Sequence, residues 1–215
     1  LKTVAVGHPI ADGLDKYKAD KNNTDKIITL VPGSRMNEVK RLLPVFQKTV
    51  DMLVRCGYQN YKFVIPTVET TEQFVKDSVA NWKIKPALVP SNQRYNIYAN
   101  TYIAIVASGT VSAELAIMHI PTIVVYKMNM LTVMLAHLVL KIKWVSLVNI
   151  LMNKTIYPEL LGSKVTAENI MENLQNLTLP AERKKMIQEL KQADAVWRIH
   201  DENPASIIAK DILHK

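Results

Sequence analysis

Short, uninterrupted apolar runs alternate along the chain with stretches in which apolar and polar residues are mixed. The apolar runs are rich in β-branched residues and end at turn-forming residues, as do strands that are buried on both faces of a parallel sheet. The mixed stretches repeat apolar residues every three or four positions, which is the spacing of a helix that packs on one face. The pattern predicts strands at residues 27–31, 61–65, 87–89, 102–107 and 121–126, and helices at residues 70–81, 92–100 and 111–119.

Two further elements depend on single residues. A proline is tolerated in the first turn of a helix, so the helix that follows the first strand is expected to run from about Pro44 to Cys56. Cys56 follows an apolar helical run and is expected to be a small buried residue. The segment from Trp144 to Leu151 is apolar and is expected to be a last strand or an extended segment.

Alternating helices and apolar strands predict an α/β fold, in which a Rossmann-like parallel sheet is wrapped by helices on both faces. We expect residues 1–165 to form this domain and residues 166–215, where the sequence becomes helical and charged, to form C-terminal helices that end at residues 204–213. Residues 131–140 are apolar on nearly every side of a helix but are too few to span a bilayer, which needs about 20 residues. With 215 residues, 48% hydrophobic and 21% charged, the chain has a globular composition.

Positive charge is in excess and widens the range of partners. The chain carries 27 basic and 19 acidic residues, a net charge of +8. Nucleic acid, anionic lipid headgroups and phosphorylated substrates are all compatible with this balance. Only 7% of the residues are aromatic and they are scattered, unlike those of single-strand binding proteins, so we expect no nucleic acid as a partner. A single cysteine excludes an internal disulfide and fits a reducing compartment.

The first predicted strand ends in the sequence VPGSRMNEVKR, residues 31–41. A strand that stops at Pro-Gly and passes directly into a helix leaves backbone N–H groups unpaired beyond the strand end. Those N–H groups suit an anion, and the planar guanidinium of Arg35 suits a pair of anionic oxygens. Gly33, Ser34 and Arg35 are therefore candidate ligand-binding residues. The alternative is an ordinary strand-to-helix connection with a solvent-exposed arginine.

A second candidate turn, Ser108-Gly109-Thr110, lies between the most apolar strand and the next helix. Two hydroxyls, a residue without a side chain and the positive end of a helix dipole together suit a phosphate. Glu114 lies one helical turn further on, where it can accept hydrogen bonds from a ribose. The alternatives are a hydroxyl that only caps the helix and a surface glutamate that compensates the dipole. Because ligands of parallel sheets bind beyond the carboxyl ends of strands, residues 33–35 and 108–110 are expected to converge on one pyrophosphate pocket.

Three segments carry a resemblance to a known family: VPGSRMNEVKRLLPVF, AIVASGTVSAELAIMHIPTIVVYKMN and WVSLVNILMN. In this order and spacing they resemble the C-terminal half of the lipid-A-disaccharide synthases, which are membrane-associated glycosyltransferases with the two-Rossmann-domain GT-B fold. The resemblance extends to Val6-Gly7-His8-Pro9 and so covers nearly the whole chain. It implies that the chain is the donor-binding half of a GT-B fold and a piece of a longer protein.

The resemblance also implies an activity. The family transfers 2,3-diacylglucosamine from UDP to 2,3-diacylglucosamine 1-phosphate, which gives the lipid A disaccharide 1-phosphate and UDP, with no cofactor and no metal implied. The general base of the family lies in its N-terminal half, so the chain alone is expected to bind UDP without transferring the sugar. Two other interpretations remain open: a UDP-sugar epimerase or hydrolase of the same fold, and a non-catalytic basic binding module.

The resemblance also implies roles for single residues, at the positions where this sequence matches the motifs of the family. Asn149 matches the asparagine of a Ser-Leu-Pro-Asn motif tied to activity, although Val148 replaces the proline. Tyr126 and Lys127 match a substrate-contacting stretch in which arginine is common at the second position, and a lysine lacks the bidentate fork. The remaining implied roles are the diphosphate contact for Arg35, phosphate binding for Ser108, Gly109 and Thr110, and ribose binding for Glu114.

Further partners follow from the same resemblance and from residues 128–144. This run combines methionine and leucine with Lys141, Lys143 and Trp144, and it is expected either to meet an anionic membrane surface or to be a buried core helix. The resemblance implies a cytoplasmic protein that is peripheral at the inner membrane of a Gram-negative bacterium. The missing N-terminal half and a second copy in a homodimer are also expected partners. His8 is expected to be a structural loop residue or a substrate contact.

Overall fold

The computed structural model describes residues 13, 14, 16, 17, 26–127, 143–198 and 209. His8, the helix predicted at residues 131–140 and, apart from residue 209, the helix predicted at residues 204–213 lie outside these residues. Within them, six strands form one parallel sheet. The strands are β1 (Ile27–Val31), β2 (Lys62–Thr67), β3 (Ala87–Pro90), β4 (Thr101–Ala107), β5 (Thr122–Tyr126) and β6 (Glu159–Leu161).

Helices connect these strands and follow the last of them, which confirms the predicted α/β fold. Short 3-10 helices lie at Ser91–Gln93 and Gly162–Lys164. The α-helices of the described part of the chain are α1 (Met36–Arg55), α2 (Glu72–Ala80), α3 (Arg94–Ala99), α4 (Thr110–Ile117), α5 (Leu147–Met152), α6 (Ala167–Thr178) and α7 (Pro180–Trp197).

The strand order is β3-β2-β1-β4-β5-β6, so the chain builds the sheet outward from β1 in one direction and then from β4 in the other. Val31 of β1 lies beside Val106 of β4, and Ala107 lies beside Val125 of β5. Right-handed crossovers in a sheet that reverses in this way place α1 and α4 on opposite faces. A crevice therefore opens between the carboxyl ends of β1 and β4, where open α/β sheets bind ligands.

The sheet is buried between helices, as its apolar strands predict. All five residues of β1 are buried, and so is every residue of β4 except Tyr102. α1 packs on α6, and α4 packs on α5 and α7. Leu174 of α6 and Leu190 of α7 belong to the same hydrophobic cluster as Ile28 and Ile105 of the sheet. The helices α6 and α7 therefore share the core of the sheet.

The first helix begins at Met36 and not near Pro44, so the predicted start is wrong. Pro44 lies inside α1 on its exposed face. A proline removes one N–H and crowds the carbonyl four residues earlier, but that carbonyl belongs to the exposed Lys40, where water can satisfy it. Val39 and Phe46, on either side of the proline, are fully buried. The burial of apolar residues along the whole helix outweighs the local penalty.

Two other predictions at this level are wrong. Residues 147–152 form the helix α5, and the last strand of the described sheet is the three-residue β6. An apolar run of this length fits a strand or a buried helix equally well by periodicity, which explains the error. Cys56 is exposed, because it lies just beyond the C-terminus of α1 and not on the buried face of that helix.

Replacing Pro44 by alanine is expected to stabilise the fold. The change restores the hydrogen bond to the Lys40 carbonyl and removes the clash of the proline ring. It also makes the unfolded chain more flexible, which lowers the stability of the fold by a smaller amount. We expect the free energy of unfolding in urea to rise by about 1–2 kcal/mol. Pro180→Ala is the matched control, since a proline in the first turn of a helix breaks no helical hydrogen bond. An unchanged or lower stability of the Pro44→Ala variant would show that α1 is interrupted there.

Candidate functional site

A cavity of about 460 Å³ opens at the carboxyl edge of the sheet, where the strand order reverses. Residues 33–35 and 108–110 both line it, so the two candidate turns converge as expected. The space between the turns is open and is not filled by apolar side chains. Other residues of the wall come from α1, α3, α4 and the first 3-10 helix, and they include Glu38, Ser91, Arg94, Tyr98 and Glu114.

The turn after β1 has a backbone that glycine adopts with least strain. Gly33 has a φ of 102°, in the left-handed region. A Cβ atom on Gly33 would lie 2.6 Å from Oε2 of Glu38 and 3.4 Å from Cβ of Ala107. The glycine therefore lets this turn lie directly against the end of β4. At the start of α1, the N–H of Glu38 donates to the Arg35 carbonyl at 2.9 Å, and the N–H groups of Met36 and Asn37 have no acceptor within the helix.

Arg35 stands at the mouth of the cavity with its side chain 80% exposed. Its Nη1 atom lies 3.0 Å from Oε1 of Glu38, three residues further along. An exposed pair of this kind contributes less than about 1 kcal/mol, so it does not hold Arg35 away from a stronger anionic ligand. Glu38 was not predicted as a site residue, although its place in the first turn of α1, after the glycine turn, was a usable signal.

The turn after β4 excludes the alternative of a hydroxyl that only caps the helix. Gly109 is the N-cap of α4 and no side chain caps the helix, so neither Ser108 nor Thr110 acts as the cap. The N–H of Ser108 donates to the Val125 carbonyl at 3.1 Å, and its hydroxyl lies 3.4 Å from the carbonyl oxygen of Val145. The N–H of Ser112 donates to the Gly109 carbonyl at 3.2 Å, so the N–H groups left for an anion at this edge are those of Thr110 and Val111, two residues that line the cavity.

Glu114 is a buried wall residue of the cavity, which excludes the alternative of a surface glutamate. The residue is only 7% exposed. Its Oε1 atom accepts a hydrogen bond from the Tyr95 hydroxyl at 3.1 Å, whereas Oε2 is buried and has no hydrogen-bond partner among the described residues. Burial raises the pKa of the Glu114 carboxyl above its ordinary value, and Arg94 and Tyr95 offset this only in part. A buried carboxylate oxygen without a hydrogen-bond partner is costly, so a donor that reaches it would bind favourably.

The α3 side of the cavity was not predicted. Nη1 of Arg94 donates to the Ser91 carbonyl at 3.2 Å, and its guanidinium carbon lies 4.3 Å from the ring centre of Tyr95. Tyr98 is buried behind them, and this burial raises the pKa of its hydroxyl. The signal was available, because α3 starts beyond the carboxyl end of β3, where the same strand-end rule points to Ser91 and Arg94.

Asn149 lies in α5 and is fully buried. Its Nδ2 donates to the Tyr157 carbonyl and to Oε1 of Glu159, both at 2.8 Å. Its Oδ1 accepts from the backbone N–H groups of Ile156 at 2.8 Å and Tyr157 at 2.9 Å. These bonds use both donors and both lone pairs of the amide. Asn149 does not line the cavity, so its link to activity stays a prediction and would act through the position of α5.

Glu159, the first residue of β6, was also not predicted. Its carboxylate accepts from the N–H groups of Val145 at 2.8 Å and Ser146 at 2.9 Å, and from the Ser146 hydroxyl at 2.7 Å. The hydrogen bond between Asn149 and this carboxylate joins α5 to β6. The Ser108 hydroxyl lies next to the Val145 carbonyl, which connects this hydrogen-bonded group to the turn after β4. No local sequence signal could identify Glu159, because Val145 is 14 residues away in the chain.

Tyr126 and Lys127 lie at the end of β5, at the same edge of the sheet as the two turns. Tyr126 is half-buried and Lys127 is exposed, and neither lines the cavity. The Lys127 carbonyl accepts from Nη1 of Arg41 at 3.4 Å. Their substrate-binding role stays a prediction. Across the ranges that the structure describes, no group of three His, Cys, Asp or Glu residues is placed to hold a metal ion.

The reversing strand order and the cavity at the reversal define a class: a Rossmann-like domain with an open, doubly wound parallel sheet. The co-structure of S. aureus MnaA with UDP matches this chain with a TM-score of 0.60 and 14% sequence identity. The match covers 98% of this chain and 52% of that one. At that identity the likeness shows the fold alone, and it confirms the predicted half of a GT-B fold.

The chain belongs to the lipid-A-disaccharide synthetase family, whose family model matches residues 1–210. Lipid-A-disaccharide synthase of Paramagnetospirillum magneticum is 31% identical over 191 residues, which cover 82% of this chain and 48% of that protein. The same enzyme of Granulibacter bethesdensis is 33% identical over 181 residues, which cover 80% of this chain and 46% of that protein. The chain spans about half the length of these curated relatives. The family resemblance of its three segments is confirmed.

Replacing Asn149 by alanine is expected to destabilise the fold strongly. The change leaves two buried N–H groups, one carbonyl and part of the Glu159 carboxylate without partners, and each such loss costs about 1–3 kcal/mol. We expect the free energy of unfolding in urea to fall by at least about 3 kcal/mol. Asn176→Ala on the exposed face of α6 is the matched control, with a change within about 0.5 kcal/mol. Equal stability of the Asn149→Ala variant and the parent would contradict the geometry of α5 and β6.

Proposed function

We propose that this chain is the donor-binding half of a lipid-A-disaccharide synthase. It binds UDP-2,3-diacylglucosamine at the cavity between β1 and β4. Together with the other half of the protein it delivers the sugar to 2,3-diacylglucosamine 1-phosphate and releases UDP. The observation that carries the proposal is the convergence of the Gly33 turn and the Gly109 turn on one cavity, in a chain of this family.

In this proposal the pyrophosphate lies between the two turns. The N-termini of α1 and α4 meet the cavity, and each helix end contributes about half a positive charge together with unpaired N–H groups. Arg35 adds a guanidinium that can turn away from Glu38. These groups stabilise the negative charge that grows on UDP as it leaves the sugar, which lowers the barrier to transfer.

The proposal assigns the ribose to Glu114, which lines the cavity and whose buried Oε2 atom has no hydrogen-bond partner among the described residues. An epimerase or hydrolase of the same fold would use a similar donor site, but membership of the synthetase family favours transfer to an acceptor. A purely basic binding module has no need of a buried carboxylate in its pocket. A measurement of UDP release by the protein with both halves distinguishes a transferase from an epimerase or hydrolase. Release by a transferase depends on the acceptor.

Calorimetric titration with UDP tests the site in this chain. Arg35→Ala removes a charged donor, and hydrogen bonds to charged groups contribute about 1.5–3 kcal/mol. The affinity for UDP should therefore fall about tenfold or more in this variant. Uridine, which has no phosphate, should bind the variant and the parent equally.

Arg55→Ala is the matched control, because Arg55 is exposed in the last turn of the same helix. This control should bind UDP as tightly as the parent does. Equal UDP affinity of the Arg35→Ala variant and the parent would remove Arg35 from the site. A parent chain that does not bind UDP would refute the nucleotide assignment as a whole.

We also propose that the protein meets an anionic membrane surface through α5, as a peripheral protein. Leu147, Ile150 and Leu151 are 40%, 49% and 41% exposed on this helix. The exposed Lys143 and Lys154 flank it, and basic residues beside apolar anchors suit the surface of an anionic bilayer. None of the helices in the described ranges is both long and apolar enough to cross a bilayer. This contact would keep acylated substrates near the cavity.

Sedimentation with lipid vesicles tests the membrane contact. Vesicles that contain phosphatidylglycerol should bind the chain, and vesicles of phosphatidylcholine alone should bind it less. Replacing Ile150 and Leu151 by glutamate should lower the partition coefficient roughly tenfold or more, because burying one such side chain contributes about 1.5–3 kcal/mol. Leu179→Glu, at a residue that is 51% exposed outside α5, is the control and should bind as the parent does. Equal binding of the α5 variant and this control would contradict the proposal.

A further inference from the structure

Two carboxylates and two guanidinium groups line the cavity between β1 and β4: Glu38, Glu114, Arg35 and Arg94. Their formal charges cancel, so these side chains offer no net positive charge to a diphosphate. The Arg94 guanidinium is already engaged, since it donates to the Ser91 carbonyl at 3.2 Å and to the Tyr95 hydroxyl at 2.7 Å. The Arg35 side chain is 80% exposed, against 34% for Arg94. Arg35 is therefore the guanidinium of this cavity that can turn to a ligand.

The Glu38 carboxylate lies at the same edge of the cavity as Arg35. Its Oε1 atom is 3.0 Å from Nη1 of Arg35. Its Oε2 atom lies so close to the turn after β1 that a Cβ atom on Gly33 would be 2.6 Å away. Glu38 is also in the first turn of α1, where the positive end of the helix dipole favours an anion. The carboxylate therefore lies where an anionic ligand would meet both the guanidinium and the helix end.

We propose that Glu38 is an internal competitor of the diphosphate for Arg35. The carboxylate holds the guanidinium in the empty cavity, and a diphosphate must break this pair when it binds. Glu38 thereby lowers the affinity for UDP. Because affinity differences between closely related complexes lie mostly in the dissociation rate, the competition also speeds the departure of UDP after sugar transfer. Glu38 is thus a positioning residue that acts through Arg35, and the identity of the ligand rests on the proposed function.

The exchange of partners favours the ligand because the two partners of Arg35 differ in charge. A diphosphate carries more than one negative charge and presents several oxygens to the planar guanidinium, whereas the exposed pair with Glu38 is weak. The diphosphate therefore takes Arg35 but loses part of its binding free energy in breaking the pair. A carboxylate that instead oriented Arg35 toward the ligand would raise the affinity for UDP. The sign of the effect of Glu38 on UDP affinity therefore distinguishes competition from orientation.

Calorimetric titration of the Glu38→Gln variant with UDP tests the competition. Glutamine keeps the size of the side chain and removes its charge, so the affinity for UDP should rise about threefold to fivefold. Glu182→Gln is the matched control, because it removes a carboxylate from the first turn of α7. Arg183, the next residue, donates to the Tyr102 carbonyl at the start of β4, which places this control at the opposite edge of the sheet. The control should bind UDP as the parent does, and both variants should lose a similar, small amount of stability in urea.

The same titration in the Arg35→Ala background decides whether the effect passes through Arg35. Adding Glu38→Gln there should change the affinity for UDP by less than about twofold, because no pair remains to be broken. An equal gain with and without Arg35 would show direct repulsion of the ligand and overturn the competition. Unchanged or lower affinity of Glu38→Gln, in a chain whose parent binds UDP, overturns the inference and leaves the proposed function standing. Failure of both the parent and Glu38→Gln to bind UDP refutes the proposed function, and this inference with it.

Discussion

The pairing of β1 with β4 is the constraint on which the binding edge depends. Val31 lies beside Val106, so the two strands end at the same level and their turns emerge side by side. The strand order reverses at this pair. The connections that follow β1 and β4 lead in opposite directions, so the space beyond the carboxyl ends of the two strands stays open. Gly33 makes the contact possible, because a side chain there would press on Ala107 and on Glu38. Two helix N-termini therefore meet at one cavity.

Two hydrogen-bonded units support this cavity from opposite sides. On the side of β3, Arg94 and Tyr95 hold the Glu114 carboxylate. On the side of β6, Asn149 and Glu159 tie α5 to the sheet, next to the turn that follows β4. Both oxygens of the Glu159 carboxylate accept from fixed donors, whereas the Glu114 carboxylate has a hydrogen-bond donor on Oε1 only. Such networks specify position well, because leaving any member unpaired is costly.

The fold and the two turns could be predicted from sequence because their signals are local. Uninterrupted apolar runs mark buried strands, and a glycine between a strand and a helix marks a turn that leaves N–H groups free. The errors arose where distant residues decide the outcome. The burial of Phe46 and its neighbours keeps α1 continuous through Pro44, against the local rule, and the apolar run at 147–152 becomes a helix because Asn149 and Glu159 pair across the fold. Glu159 itself has no local signal.

Backbone amide chemical shifts during a titration with UDP test the central claim most directly, with uridine as the comparison. The account predicts that UDP causes its largest shifts at residues 33–35 and 109–111, and that uridine leaves those amides nearly unchanged. Shifts that concentrate instead at the opposite edge of the sheet, around Lys26 and Tyr58, or that are the same for both ligands, would contradict the account. In that case the two turns would not be the pyrophosphate site.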